Sequence, residues 1–405
     1  MTKLLILLSI TVPFFFFFCI IIIRTIFKKK MQHWIWWDIK RGLRQLFDEK
    51  PKAPIHIMFA LVDHFEPGNR NATLDQQKKR VDAWVKRYPK LAARHQDSDG
   101  ICPQHTFFFP PHYDFHDHLE KISKLCSQGF GEIEMHLHHD RMEPWPDDEL
   151  SLKRKILECI EAYSRYGIFC LPNNQKAYGF IHGDWALANS LKNGEHCGVN
   201  DEISILEDTG CYADFTFPVS NESQPKMANT IFYGKSSPLF PKGYDRHAIS
   251  VKSGSGSTEG LMFIQGIIGL RWKSRAHMFK PSVEQSNIGG TDLPFRGRID
   301  YWIRKAIHIQ KKPNWIFIKI HGHGASSEKQ VREVLLDRNS DDMFEYLEKR
   351  YNDGEKYVLH YVSAREMYNI IKAAENGEEG NPHHFRDYII PRYVYLPERI
   401  SSNPS

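Results

Sequence analysis

About seven times between residues 55 and 374, a short apolar run gives way to a segment whose apolar residues recur at helical spacing. Residues 55–62 read IHIMFALV, a strand pattern. Val81, Trp84, Val85, Tyr88 and Leu91 then fall on one helical face within 74–93. Thr73 and Gln76 supply a capping box for that helix. Further strands are predicted over 105–109, 132–137, 177–181, 213–217, 261–264, 315–320 and 357–362. Helices are predicted over 117–126, 147–166, 202–206, 298–309, 328–350 and 364–374. Repeated strand–helix units pack as parallel strands covered by helices. The expected fold is therefore α/β, a (β/α)7-type distorted TIM-like barrel over residues 54–376. A loop insertion is expected near 218–260, where Ser, Gly, Pro and Lys accumulate, and a polar tail over 377–405.

Ahead of the barrel, residues 4–23 are a run of twenty without a charge. About 20 apolar residues suffice to span a bilayer as a helix. The charges lie behind this run, at Arg24 and Lys28–Lys30, with no cleavage pattern. The expectation is one N-terminal transmembrane helix within an anchor at 1–30, uncleaved and single-pass. The positive-inside rule then puts the barrel on the cytoplasmic side. Residues 31–53, with Trp34, Trp36 and Trp37, read as a juxtamembrane amphipathic segment.

Net charge is +5, but Lys3, Arg24, Lys28, Lys29 and Lys30 carry all of it. The rest of the chain is formally neutral, so no nucleic-acid partner is expected. No CxxC pair occurs among the seven cysteines, which excludes zinc-ribbon and thioredoxin motifs.

The polar residues gather where the predicted strands end. Asp63, His64 and Glu66 follow the first strand, His112 and Tyr113 the second, and His136, His138, His139 and Asp140 the third. His182, Asp184 and Trp185 follow the fourth, Tyr212 and Asp214 lie by the fifth, and His321 and His323 end the strand at 315–320. Barrel enzymes build their sites at these C-terminal ends. HLHHD, residues 136–140, is the sharpest signal. On an extended strand His136, His138 and Asp140 share a side. Two imidazoles and a carboxylate form a hydrolytic zinc set with a position left for water. His64 or Asp63 adds a further donor from the neighbouring strand. His321 and His323 also share a side, flanking Gly322. His182, Asp184, Trp185, Tyr212 and His323 are candidate substrate contacts.

The order of Asp63-His64, HTFFF, LCSQGF and GEIEMHLHHD resembles the polysaccharide deacetylases, metal-dependent barrel esterases of carbohydrate esterase family four. The resemblance covers roughly residues 54–140 well and 314–372 moderately. It implies Asp63 as catalytic base, His321 (in IKIH) as catalytic acid, and His64, His136, His138 and Asp140 around a divalent metal of the zinc type. Two departures stand out: His64 replaces an aspartate, and HLHHD replaces the family's spaced histidine pair. The implied reaction is hydrolytic removal of an N-acetyl or other acyl group from a carbohydrate, on a free or lipid-linked glycan. Two rivals remain. HLHHD also matches five positions of the metallo-β-lactamase-like hydrolase motif, with Arg141 in place of the sixth. A membrane-anchored glycan-binding protein on an inactive barrel is the other.

Overall fold

The computed structural model describes residues 2–47, 50–112, 116–256, 258–271, 282–290 and 292–395. Tyr113 and the last ten residues of the tail lie outside them. The helices are α1 (Thr2–Lys28), α2 (Ile35–Phe47), α3 (Leu74–Ala92), α4 (His116–Ser127) and α5 (Glu149–Ser164), then α6 (Glu202–Asp208), α7 (Arg296–Lys305), α8 (Lys329–Leu336), α9 (Arg338–Tyr351) and α10 (Ala364–Glu375). The strands are β1 (Ile55–His64), β2 (His105–Phe109), β3 (Gly131–Leu137), β4 (Tyr178–His182), β5 (Cys211–Asp214) and β6 (Phe232–Gly234), then β7 (Ile249–Ser250), β8 (Leu261–Phe263), β9 (Gly269–Arg271), β10 (Ser282–Glu284), β11 (Trp315–Gly322) and β12 (Tyr357–Tyr361).

One mixed sheet organises the chain, in the order β11-β1-β2-β3-β4-β5-β8-β6-β7, with β12 also pairing β1. From β11 to β8 every pairing is parallel. β6 and β7 add antiparallel strands at the far edge. β1 is the hub: β11 runs along almost all of it, while β12 takes its first half and β2 its last residues. Its near-continuous burial follows from that position, since a central parallel strand is covered on both faces. This parallel order is not the strand-on-strand sandwich of a metallo-β-lactamase-like hydrolase.

Among the described residues no strand pair joins β11 to β8, so strand pairing does not close a barrel. Irregular chain spans the interval instead. The His321 amide donates to the Ser286 carbonyl (2.9 Å), and Ile288 donates back to the His321 carbonyl (2.8 Å). Ser286 Oγ in turn donates to the Ile267 carbonyl (2.8 Å). Lys319 Nζ, buried on β11, donates to the carbonyls of Phe215 and Phe217, just beyond β5.

The predicted capping box of α3 is present, with Thr73 Oγ1 accepting from the Gln76 amide (3.3 Å). The charged stretch predicted as one helix over 328–350 is two. Asp337 leaves helical geometry and its side chain accepts from the Arg338 amide (2.9 Å), capping α9. The insertion near 218–260 is not all loop, since it contributes β6 and β7.

At the N-terminus, α1 has side chains described at Pro13 and from Phe16 onward. Among the described residues no helix is long and apolar enough to cross a membrane. The expected transmembrane helix is therefore not found. Trp34, expected at a membrane interface, is buried in the protein instead. With Met31 and Ile35 it packs on Ala228 and Ile268. α2 is tied down further by Trp37 Nε1 donating to Thr230 Oγ1 (3.0 Å) and Lys305 Nζ pairing with Asp38 (2.6 Å).

Candidate metal centre

The parallel register sets the geometry of the site. His136 on β3 sits opposite Ile181 on β4, and its Nδ1 lies 2.9 Å from the Ile181 carbonyl oxygen. Nδ1 must therefore carry the proton, which leaves the Nε2 lone pair facing inward. His138 follows just beyond β3, on the same side. Its Nδ1 lies 2.9 Å from Asp184 Oδ2. Asp184 reaches it from the turn after β4, where Asp184 and Trp185 both hold φ near +55 (54° and 55°). Non-glycine residues rarely sit there, and such strain concentrates at functional sites. A histidine fixed by a carboxylate or a carbonyl on its outer nitrogen is the usual support of a metal ligand.

The inner nitrogens converge. His136 Nε2 and His138 Nε2 are 3.1 Å apart, and Glu66 Oε1 lies 3.0 Å from His138 Nε2. Glu66 is buried, and beyond that ion pair its Oε1 has no hydrogen-bond partner. Ligands at zinc bond lengths in a tetrahedron stand roughly 3.3 Å apart. Three acceptor atoms this close repel one another unless a cation or a proton lies between them, so the donor set fits a divalent ion. With a proton in that role, the charges separate sharply. Burial, then His138, pushes His136 down to about 3. Against burial, the Asp184 and Glu66 carboxylates hold His138 up at about 9. Against burial, His138 holds Glu66 down at about 2.

Imidazole and indole rings wall the cluster. His64 stacks on His323 (4.8 Å between centroids) and meets His136 edge-on at 4.9 Å. Trp185 stands 5.5 Å from His64 and 6.4 Å from His321. Burial and Lys319 keep His321 well below the usual histidine range, hence neutral. His64 is likewise neutral, through burial and the rings of His323 and His136.

Other predicted residues lie elsewhere. Asp63 is one residue from His64 and so faces the other side of β1, toward α3. Its Oδ1 accepts from the Gly324 amide (2.6 Å) and its Oδ2 lies 3.1 Å from His105 Nε2. It clips the turn after β11 to the first two strands rather than joining the metal donors. β3 ends at Leu137, and residues 139–141 form a single 3-10 turn. Asp140 therefore leaves the strand's alternation: its Oδ2 pairs with His196 Nδ1 (2.6 Å), and it gathers with His138 and Asp184 rather than with His136 and Glu66. Tyr212 lies deeper, donating to Glu134 Oε1 (2.6 Å). His182 turns away to stack on His139 (4.5 Å). Glu66 is the donor that sequence reasoning did not assign. Its signal was its spacing of two from His64, on the same side of the chain.

No protein-family model matches the chain, and no curated protein matches it. Among solved structures it is similar to a GH57 branching enzyme from the hyperthermophilic archaeon Thermococcus kodakaraensis, in complex with glucose. The TM-score is 0.35 and the identity 11%, over 73% of this chain and 68% of that one. That likeness is too distant to assign a fold or an activity.

Proposed function

We propose that this protein is a metal-dependent hydrolase that removes an N-acyl group, acetyl in the simplest case, from a carbohydrate. The convergence of His136 Nε2, His138 Nε2 and Glu66 Oε1 at the strand ends carries this function. A zinc-type ion held by these three would supply Lewis acidity toward the acyl carbonyl and toward water. The chain's own residues do the rest. Asp184 and the Ile181 carbonyl hold both imidazoles in the ligating tautomer. His321, neutral at rest, can take a proton and return it to the leaving amine. Asp63, implied as base by the resemblance to polysaccharide deacetylases, instead holds the turn after β11 at Gly324, next to His323. Trp185, half-buried over the cluster, offers a flat apolar face to a sugar ring. The carbohydrate rests on that face and on the sequence resemblance. We further propose that the uncharged run at 4–23 and its basic flank hold the chain at a membrane with the site on the cytoplasmic face.

The test is acetate release from N-acetylated oligosaccharides by the full-length protein. Wild type is expected to release acetate and lose the activity to a chelator. His136→Ala is expected to be inactive. Asp184→Asn keeps the fold but loosens His138, and its metal affinity is expected to fall about 10–100-fold. A wild-type protein that holds metal and releases no acyl group from any such glycan would sink the proposal.

A further inference from the structure

We propose that His139, His182, Cys197 and Glu202 form a second divalent-metal site, closed to solvent and structural in role. All four residues are fully buried. They come from separate pieces of chain: the turn after β3, the end of β4, the loop after it, and the start of α6. One donor atom from each lies within 4.8 Å of all the others. Glu202 is central. Its Oε1 is 3.1 Å from His139 Nε2 and 3.5 Å from His182 Nε2, and its Oε2 is 3.3 Å from Cys197 Sγ.

Each imidazole is held from behind. His139 Nδ1 lies 3.2 Å from the Cys197 carbonyl and 3.2 Å from Asp147 Oδ2. His182 Nδ1 lies 2.5 Å from the Gly183 carbonyl. Both therefore aim the Nε2 lone pair into the cluster, the tautomer a metal requires. The Asn189 amide donates to Cys197 Sγ (3.3 Å), which fixes the sulfur toward the cluster. An independent observation points to a missing partner. His182 Nε2 is fully buried, faces the cluster and has no hydrogen-bond partner. Burying such an atom unpaired is costly, and a bound ion would remove that cost.

Two nitrogens, a sulfur and a carboxylate supply four donors of types that zinc accepts, the coordination number of a closed site. No side is left for water or substrate, unlike the donor set of Glu66, His136 and His138. The two sites adjoin at His138–His139, so the second would stiffen the turns that present His138 and Asp184. It stands independently of the proposed hydrolase activity.

The experiment is metal analysis of the full-length protein, with cobalt(II) substituted for the native ion. Wild type is expected to hold about two ions per chain and to show a thiolate-to-cobalt charge-transfer band in the near ultraviolet. Cys197→Ser and His182→Gln should each lose one ion, and Cys197→Ser the band. His136→Ala should lose the other ion and keep the band. A single ion with the band, retained in His136→Ala, would uphold this site and count against the hydrolytic one. Cobalt protein without the band overturns the inference, and so does Cys197→Ser with wild-type metal content. If that variant fails to fold, the wild-type spectrum and His182→Gln decide.

Discussion

Side-chain parity decides which residues of the strand ends meet. His64 and Glu66 share a side of the chain with the cluster, while Asp63, next to His64 on β1, faces α3 and His105. The sequence therefore pointed to this strand end, but to Asp63 rather than to Glu66, the acid that meets His138 there. His136 and His138 were legible because β3 stays extended beneath them. Asp140 instead gathers with His138 and Asp184, because the chain leaves extended geometry at His139 and the alternation stops. That same turn sends His139 into the second cluster, which no local pattern announces. Its partners Cys197 and Glu202 lie about sixty residues away. A separate histidine allows a test free of metal. Burial, then His360, pushes His56 down to about 4. The unfolded chain binds this proton near pH 6.5 while the folded chain refuses it. The His56 contribution is thus present above pH 6.5 and is lost as pH falls toward 4. Urea midpoints of His56→Asn are expected to fall less steeply than wild type over that window. Parallel curves for the two proteins would contradict the assignment.

Elements with strong period and caps were legible; those defined by distant contacts were not. β2 runs over the predicted 105–109, and α3 carries the predicted capping box at Thr73 and Gln76. The division between α8 and α9 depends on one aspartate acting as a cap inside a charged stretch. β6 and β7 are only three and two residues long, too short for alternation to register. α2 shows how a helix can serve two surfaces. Trp34 at its entry is buried against Ala228 and Ile268, while Trp36, Ile39, Leu43, Leu46 and Phe47 are exposed at helical spacing. Trp34→Ala is expected to lower the unfolding free energy by about 3 kcal/mol, at the low end for a buried tryptophan, because its cluster is small. Trp36→Ala, on the exposed stripe, should change it by less than about 0.5 kcal/mol. Chemical denaturation of the pair checks this, and equal losses would mean that α2 does not dock as described.

At the scale of the whole molecule, strand–helix alternation forecast the α/β class and the parallel sheet. The manner of closure was not legible. Closure at the gap between β11 and β8 runs through Ser286, Ile288 and a buried lysine, contacts between residues far apart in sequence. The placing of candidate residues at the C-terminal strand ends followed from the alternation alone, and the cluster of Glu66, His136 and His138 lies there. What unites fold and function is the claim that Glu66, His136 and His138 hold one ion. Anomalous diffraction at the zinc edge, on crystals of the full-length protein grown with zinc, tests it directly. A peak between His136 Nε2, His138 Nε2 and Glu66 Oε1 is the expected result. Zinc-replete crystals with no peak there, or with the peak beside Asp63, would contradict it.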